Sequence, residues 1–208
     1  QAIAVTVTAV NDNTPVITSL ATANFAENAT GTVIDVNATD ADLPAQTLTF
    51  SITGGADAAK FAINATTGIV TFVTSPDFEA PTDAGANNVY DLQVTASDGA
   101  LSVAQSIAVT VTAVNDNTPV ITSAATANFA ENATGTILTV QATDADLPAQ
   151  TLTYSISGGV DAAKFAINAT TGALTFVTSP NFEAPTDVGA NNVYNVQVTA
   201  SDGANSTN

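Results

Sequence analysis

The sequence has no cysteine, methionine, tryptophan, arginine or histidine, and only two lysines, Lys60 and Lys164, among 208 residues. Disulfides, zinc–thiolate sites and thiol chemistry are therefore unavailable. Without His, Cys or Arg, the serines have no neighbouring base of the usual kinds, and the acidic pairs are better explained by metal than by glycoside hydrolysis, so the chain reads as no enzyme. The two lysines stand against 19 acidic side chains, for a net charge of −17. A surface this negative excludes nucleic acid and anionic membranes as partners. No apolar run is long enough for membrane insertion.

What is present is strand and turn chemistry. Hydrophobic residues make up 45 % of the chain, enough for packed cores, and they are mostly Val, Ile and Ala with nine Phe. The polar residues are dominated by Thr, Asn and Ser, the formers of strand edges and turns. Lack of disulfides in a chain of this size favours a bacterial exterior over an animal one.

The chain repeats itself. Asn11-Asp12-Asn13-Thr14-Pro15 returns as Asn115-Asp116-Asn117-Thr118-Pro119, and Asn24-Phe25-Ala26-Glu27-Asn28 as Asn128-Phe129-Ala130-Glu131-Asn132, a period of 104 residues. Differences between the copies respect strand alternation. Ile34 becomes Leu138 and Leu92 becomes Val196, whereas Asp35 becomes Thr139 and Asp91 becomes Asn195. Only the inward face of a strand must stay apolar, so this pattern predicts two-layer sandwiches.

Gln1 to Val10 matches Gln105 to Val114, the last strand of repeat one, whereas repeat two reaches Asn208, the counterpart of Ala104, before that strand. The reading is residues 1–10 as the final strand of a preceding repeat, 11–114 as repeat one, and 115–208 as repeat two without its final strand. A sandwich short of a strand exposes a core and an edge. Residues 1–10 are thus expected to complete the sandwich of a neighbouring copy, in a covalent array or by donor-strand pairing between subunits.

Within repeat one, alternation predicts strands at 15–19, 32–39, 47–53, 69–74, 89–97 and 102–113, with a short one at 61–63. That is about seven strands in about 100 residues, the count of an immunoglobulin-like sandwich. In the strand from Tyr90, the residues Tyr90, Leu92, Val94 and Ala96 make the core face. Asn64-Ala65-Thr66-Thr67-Gly68 reads as a hairpin loop with Gly68 free to take positive φ. No helix of useful length is expected.

Five acidic or amide motifs recur in order in both repeats: Asn-Asp-Asn-x-Pro; an early Glu (Glu27, Glu131); Asp-x-Asp (Asp40 and Asp42, Asp144 and Asp146); Asp/Asn-Phe-Glu (Asp77 and Glu79, Asn181 and Glu183); and Ala-Ser-Asp-Gly (Asp98, Asp202). On these motifs both repeats resemble, over essentially their whole length, cadherin repeats in the bacterial form found in large surface adhesins and extracellular filaments. The resemblance implies an all-β fold of tandem Greek-key sandwiches of the cadherin type, an extracellular location, secreted or attached to a cell surface, and Ca²⁺ as cofactor. Calcium takes six to eight oxygens, more than any one loop here supplies, so ligands must converge from several.

Carried over residue by residue, the resemblance implies one complete junction from Glu27, Asp77 and Glu79, then Asn115, Asp116 and Asn117, then Asp144, Asp146 and Asp202. Two half junctions follow, one from Asn11, Asp12, Asn13, Asp40, Asp42 and Asp98, the other from Glu131, Asn181 and Glu183. The family's linker usually has Asp where Ala9 and Ala113 stand, which removes a ligand. Asn181 in place of Asp77 removes a charge and should weaken the junction after repeat two. Asp57, Asp83, Asp161 and Asp187 fall outside the set and are expected to be solvated turn residues.

The expected role is a calcium-rigidified structural repeat of a bacterial stalk, adhesin or filament. Its partners are neighbouring copies or repeats of the same protein, with any cell-surface or matrix ligand bound through other regions. The alternative is a module that itself binds carbohydrate or protein, which the absence of Trp and the core-facing positions of most Phe and Tyr disfavour.

Overall fold

The computed structural model describes residues 1–208, which divide into two units, Gln1–Val114 and Asn115–Asn208. In the first, the strands are β1 (Val16–Ile17), β2 (Thr22–Ala26), β3 (Thr32–Asp35), β4 (Ala38–Thr39), β5 (Thr49–Gly54), β6 (Phe61–Ile63), β7 (Ile69–Phe72), β8 (Val89–Ser97) and β9 (Ser102–Thr112). One sheet has the order β2-β9-β8-β5 and another β3-β7-β6, with β1 paired to β4. The chain changes sheet from β2 to β3, from β5 to β6 and from β7 to β8, so sequence neighbours repeatedly face each other across the core. Every pairing is antiparallel except β2 with β9.

Both sheets feed one core. Tyr90, Leu92, Val94 and Ala96 of β8 are at most 1 % exposed, as alternation required, and they pack with Ile107, Val109 and Val111 of β9, Phe61 of β6 and Val70 of β7. The Phe72 and Tyr90 rings meet edge-on at 5.2 Å, an arrangement the aromatic quadrupole favours, and Tyr90 Oη accepts the Thr82 N–H at 3.1 Å. Between β6 and β7, Asn64 Oδ1 accepts the N–H groups of Thr66 and Thr67, and Gly68 closes the turn at φ 74°. A Cβ on Gly68 would run into the Val36 carbonyl oxygen, so glycine serves here for both conformation and close approach.

Three local expectations are corrected. Thr22–Ala26 is a strand that its mixed Thr/Ala/Asn composition hid; it is an edge strand whose pairing is supplied by β9. The single strand expected over 32–39 divides into β3 and β4, with Val36 between them fully buried and its N–H bound to the Gly68 carbonyl at 3.0 Å. Finally, Asp57, Asp83, Asp161 and Asp187 are not solvated, being 4 %, 7 %, 2 % and 7 % exposed. Asp57 accepts the N–H groups of Ala84 and Asp91, and Asp83 those of Gly85, Asn87 and Asn88. Burial pushes the Asp83 carboxyl up, and the amides of Asn87, Asn88 and Gly85 outweigh it and hold the group below the usual carboxylate range.

The second unit contains β10 (Val120–Ile121), β11 (Thr136–Thr139), β12 (Ala142–Thr143), β13 (Thr153–Gly158), β14 (Phe165–Ile167), β15 (Ala173–Phe176), β16 (Gln197–Ser201) and β17 (Ser206–Thr207). Its sheets are β10-β12, β11-β15-β14 and β13-β16-β17. Its buried apolar residues are Val140, Phe165, Leu174 and Ala200. The only helices are three-residue 3₁₀ turns, Ala58–Lys60 and Ala162–Lys164, and no helix is long and apolar enough to cross a membrane.

Candidate metal centres

Each unit gathers carboxylates at loop ends that the strands bring together. In repeat one, Asp40 and Asp42 follow β4 and Asp98 follows β8; one carboxylate oxygen from each lies within 4.8 Å of the others. The Asp42 N–H donates to Asp40 Oδ1 at 2.9 Å, which fixes the Asp-x-Asp turn. Asn13 donates its N–H to Asp42 Oδ2 at 2.9 Å and its side-chain amide to Oδ1 at 2.5 Å. The Asn11 side chain hydrogen-bonds Asp98, and Asp12 hydrogen-bonds Asp42. The linker is thus moulded around the acidic cluster.

Hydrogen bonds favour the charged form of two of the three carboxylates. The Asn13 side-chain amide, against burial, holds Asp42 below the usual carboxylate range, and the Leu101 and Ala100 amides do the same for Asp98 against the repulsion of Asp42. Anions packed this closely, and lowered in pKa, are matched to a cation. Asp40 supplies a second indication: its Oδ1 is used by Asp42, while its Oδ2 is buried and has no hydrogen-bond partner. An unmatched buried carboxylate oxygen is costly unless something binds it.

Repeat two reproduces the arrangement with Asp144, Asp146 and Asp202, again within 4.8 Å. Asp146 is 1 % exposed and accepts both the N–H and side-chain amide of Asn117, at 3.1 and 2.8 Å, with a longer bond from the Asp116 N–H. Burial pushes Asp146 and Asp202 up; the Asn117 bonds in the first, and the Asn205 and Ala204 amides in the second, bring each below its ordinary value. Asp144 Oδ2, like that of Asp40, is buried and unmatched. Asn205 was not foreseen: its side chain donates to Asn115 Oδ1 at 3.4 Å and to the Asn117 carbonyl at 3.0 Å, and the only sequence signal was a polar residue where repeat one has Leu101.

At the other end of repeat one, Glu27, Asp77 and Glu79 also come within 4.8 Å. Glu27 is 3 % exposed, with Oε2 accepting the Phe78 N–H at 2.7 Å and Oε1 the Val114 N–H at 2.6 Å. Asp77 Oδ1 caps the Glu79 and Ala80 amides. In repeat two, Glu131 accepts the Phe182 N–H and Asn181 caps Glu183, but Asn181 leaves two carboxylates where repeat one has three.

Oxygen-only donors, converging from separate loops, with an unmatched buried oxygen in each Asp-x-Asp cluster, fit a hard divalent cation such as calcium.

The cadherin domain family matches residues 21–114 and 125–208. Mouse cadherin-23 is 34 % identical across 95 % of this chain, which covers 6 % of that protein. Halomucin of Haloquadratum walsbyi is 43 % identical over 77 residues, 36 % of this chain and 1 % of that protein. The solved structure of mouse cadherin-23 EC22-24 superposes on 94 % of this chain and 64 % of its own with a TM-score of 0.72 and 25 % identity. Drosophila N-cadherin EC1-4 does so over 93 % and 47 %, with a TM-score of 0.64 and 26 % identity. This chain therefore belongs to the cadherin domain family, whose domains are extracellular, calcium-binding modules of adhesion and structure.

Proposed function

We propose that this chain is a calcium-rigidified spacer of a bacterial extracellular stalk, adhesin or filament, its copies joined head to tail through residues 1–10. The observation that carries the calcium reading is the pair of buried, unmatched oxygens, Asp40 Oδ2 and Asp144 Oδ2, each inside a cluster of three carboxylates. The absence of cysteine and the likeness to halomucin support a prokaryotic surface.

At the top of repeat one, Asn11, Asp12, Asn13, Asp40, Asp42 and Asp98 form the ligand set. Between the repeats the set is Glu27, Asp77, Glu79, Asn115, Asp116, Asn117, Asp144, Asp146 and Asp202. Glu131, Asn181 and Glu183 supply the junction after repeat two. Bound calcium supplies the positive charge that lets these carboxylates stay together. Without it, the carboxylates repel and the linker hinges. Affinities on the order of 10⁻⁴ to 10⁻³ M suit extracellular calcium.

The test is thermal unfolding in calcium and in chelator. Calcium should raise the melting temperature of the native chain and do so less for Asp40→Asn/Asp144→Asn. Identical melting with and without calcium would overturn the reading.

A further inference from the structure

Between the Asp77-Phe78-Glu79 turn and β8 the chain runs from Ala80 to Asn88 without helix or strand, yet every amide from Ala84 to Val89 is hydrogen-bonded. Two buried carboxylates do most of this. Asp57, which precedes the 3₁₀ turn at Ala58–Lys60, accepts the Ala84 N–H on Oδ1 at 2.7 Å and the Asp91 N–H on Oδ2 at 2.9 Å, so it holds the loop to the start of β8. Asp83 accepts the Gly85 and Asn87 amides on Oδ2 and the Asn88 amide on Oδ1, each at 3.0 Å. Bonds to an ionised acceptor are stronger than neutral ones, so a loop with no regular structure still has a fixed shape.

That shape ends on Asn88. Its backbone is left-handed, at φ 62°, a conformation that Asn adopts more readily than most residues other than Gly. Its carbonyl accepts the Val111 N–H of β9 at 2.8 Å, and its side-chain Nδ2 donates to the Phe78 carbonyl at 3.0 Å. Asn88 Oδ1 is buried and has no hydrogen-bond partner, so the side chain is placed for its donor alone.

Phe78 stands between two of the three carboxylates that gather at this end of repeat one, and its N–H donates to the third, Glu27, at 2.7 Å. In the peptide that joins Phe78 to Glu79, the carbonyl is held by Asn88 and the N–H by Asp77 Oδ1 at 2.9 Å. A peptide group is planar, so fixing both of its polar ends fixes the plane from which the Glu79 side chain leaves. Repeat two has the same links. Asp161 accepts the Val188 and Asn195 amides, Asp187 those of Asn191 and Asn192, and Asn192, at φ 63°, donates Nδ2 to the Phe182 carbonyl at 3.1 Å. There Phe182 is 63 % exposed, whereas Phe78 packs on the core. The link to the turn thus persists where the packing of the phenyl ring does not.

We infer that Asn88 is the positioning residue of the Glu27/Asp77/Glu79 cluster: by holding the Phe78 carbonyl it sets the direction in which the Asp77 and Glu79 carboxylates meet, without touching the cation itself. Asp57 and Asp83 act behind it, by shaping the loop that carries it. The inference rests on the calcium reading above and extends it to residues outside every ligand set named there. Hydrogen-bonding partners that orient a metal's ligands ordinarily change its affinity by about 10- to 100-fold when they are removed.

The test is Asn88→Gly in the full chain, which keeps the left-handed backbone and both main-chain bonds and removes only the side-chain amide. In chelator, hydrogen exchange of the Glu79 and Ala80 amides, both donors to Asp77 Oδ1, should quicken by roughly tenfold, the weight of about one hydrogen bond. Exchange at Val94, fully buried in the middle of β8, should stay as in the native chain. In calorimetric titration, the calcium step that Glu79→Gln weakens should be weakened roughly tenfold by Asn88→Gly, and Asn192→Gly should leave that step alone. Native exchange at Glu79 and Ala80, equal quickening at Val94, or an unchanged calcium step overturns the inference. A native chain that takes up no calcium overturns the calcium reading instead, and exchange in chelator still decides whether Asn88 holds the turn.

Discussion

Glu27 is joined to Val114 by a 2.6 Å hydrogen bond from the Val114 N–H to Oε1, while its other oxygen takes the Phe78 N–H at 2.7 Å. One buried carboxylate thus ties the loop after β2 to the chain leaving β9 and to the Asp-Phe-Glu turn. Glu27→Ala would leave two amides without their acceptor and should cost about 3 kcal/mol or more, since hydrogen bonds to charged groups contribute about 1.5–3 kcal/mol each. Glu131→Ala, at an exposed position, should cost under about 1 kcal/mol. Chemical denaturation of both variants in chelator checks the difference.

Asp83 gives a pH dependence that involves no proposed calcium ligand. Its folded-state pKa lies below the unfolded value of about 3.9, so its contribution is complete above that value and is lost as the pH falls through the depressed folded value. The melting temperature of the native chain in chelator should therefore fall more steeply on acidification than that of Asp83→Asn. Parallel curves would contradict it.

The cores differ in content, and their melting should differ as well. Leu92 is 1 % exposed in a cluster fed by both sheets, and Leu92→Ala should destabilise repeat one by about 2–5 kcal/mol. Repeat two buries far fewer apolar side chains, so calorimetry of the isolated chain in chelator should resolve two transitions, and Leu92→Ala should move the upper one.

Sequence reading reached those features whose signal is local. Alternation in Tyr90 to Ala96 gave the core face, Asn64 to Gly68 gave the turn, and the recurring motifs gave the carboxylates that the structure gathers in Asp40/Asp42/Asp98 and Asp144/Asp146/Asp202. It missed what depends on distant partners. Thr22–Ala26 is a strand only through β9, and an identical run in repeat two is none. Asp57 and Asp83 look like ordinary turn residues, yet Asp57 is buried because its acceptors serve amides 27 and 34 residues away. The unmatched oxygens of Asp40 and Asp144 are likewise visible only when three loops are in place.

Asp40→Asn and Asp144→Asn separate the two Asp-x-Asp clusters. Each should remove one carboxylate while leaving the Oδ1 that accepts the following Asp amide, so fold stability in chelator should change little. Calcium titration by calorimetry should show affinity lowered by roughly tenfold at the altered cluster, a loss of about 1.4 kcal/mol. Unchanged affinity in both variants would remove these residues from the ligand set.

The central claim is that calcium stiffens the link between repeats. Small-angle X-ray scattering of the native chain, in millimolar calcium and then in chelator, tests it most directly. The account predicts one well-defined distance distribution in calcium, and a broader distribution with a hinged, heterogeneous chain in chelator. Superimposable scattering curves in the two conditions would contradict it.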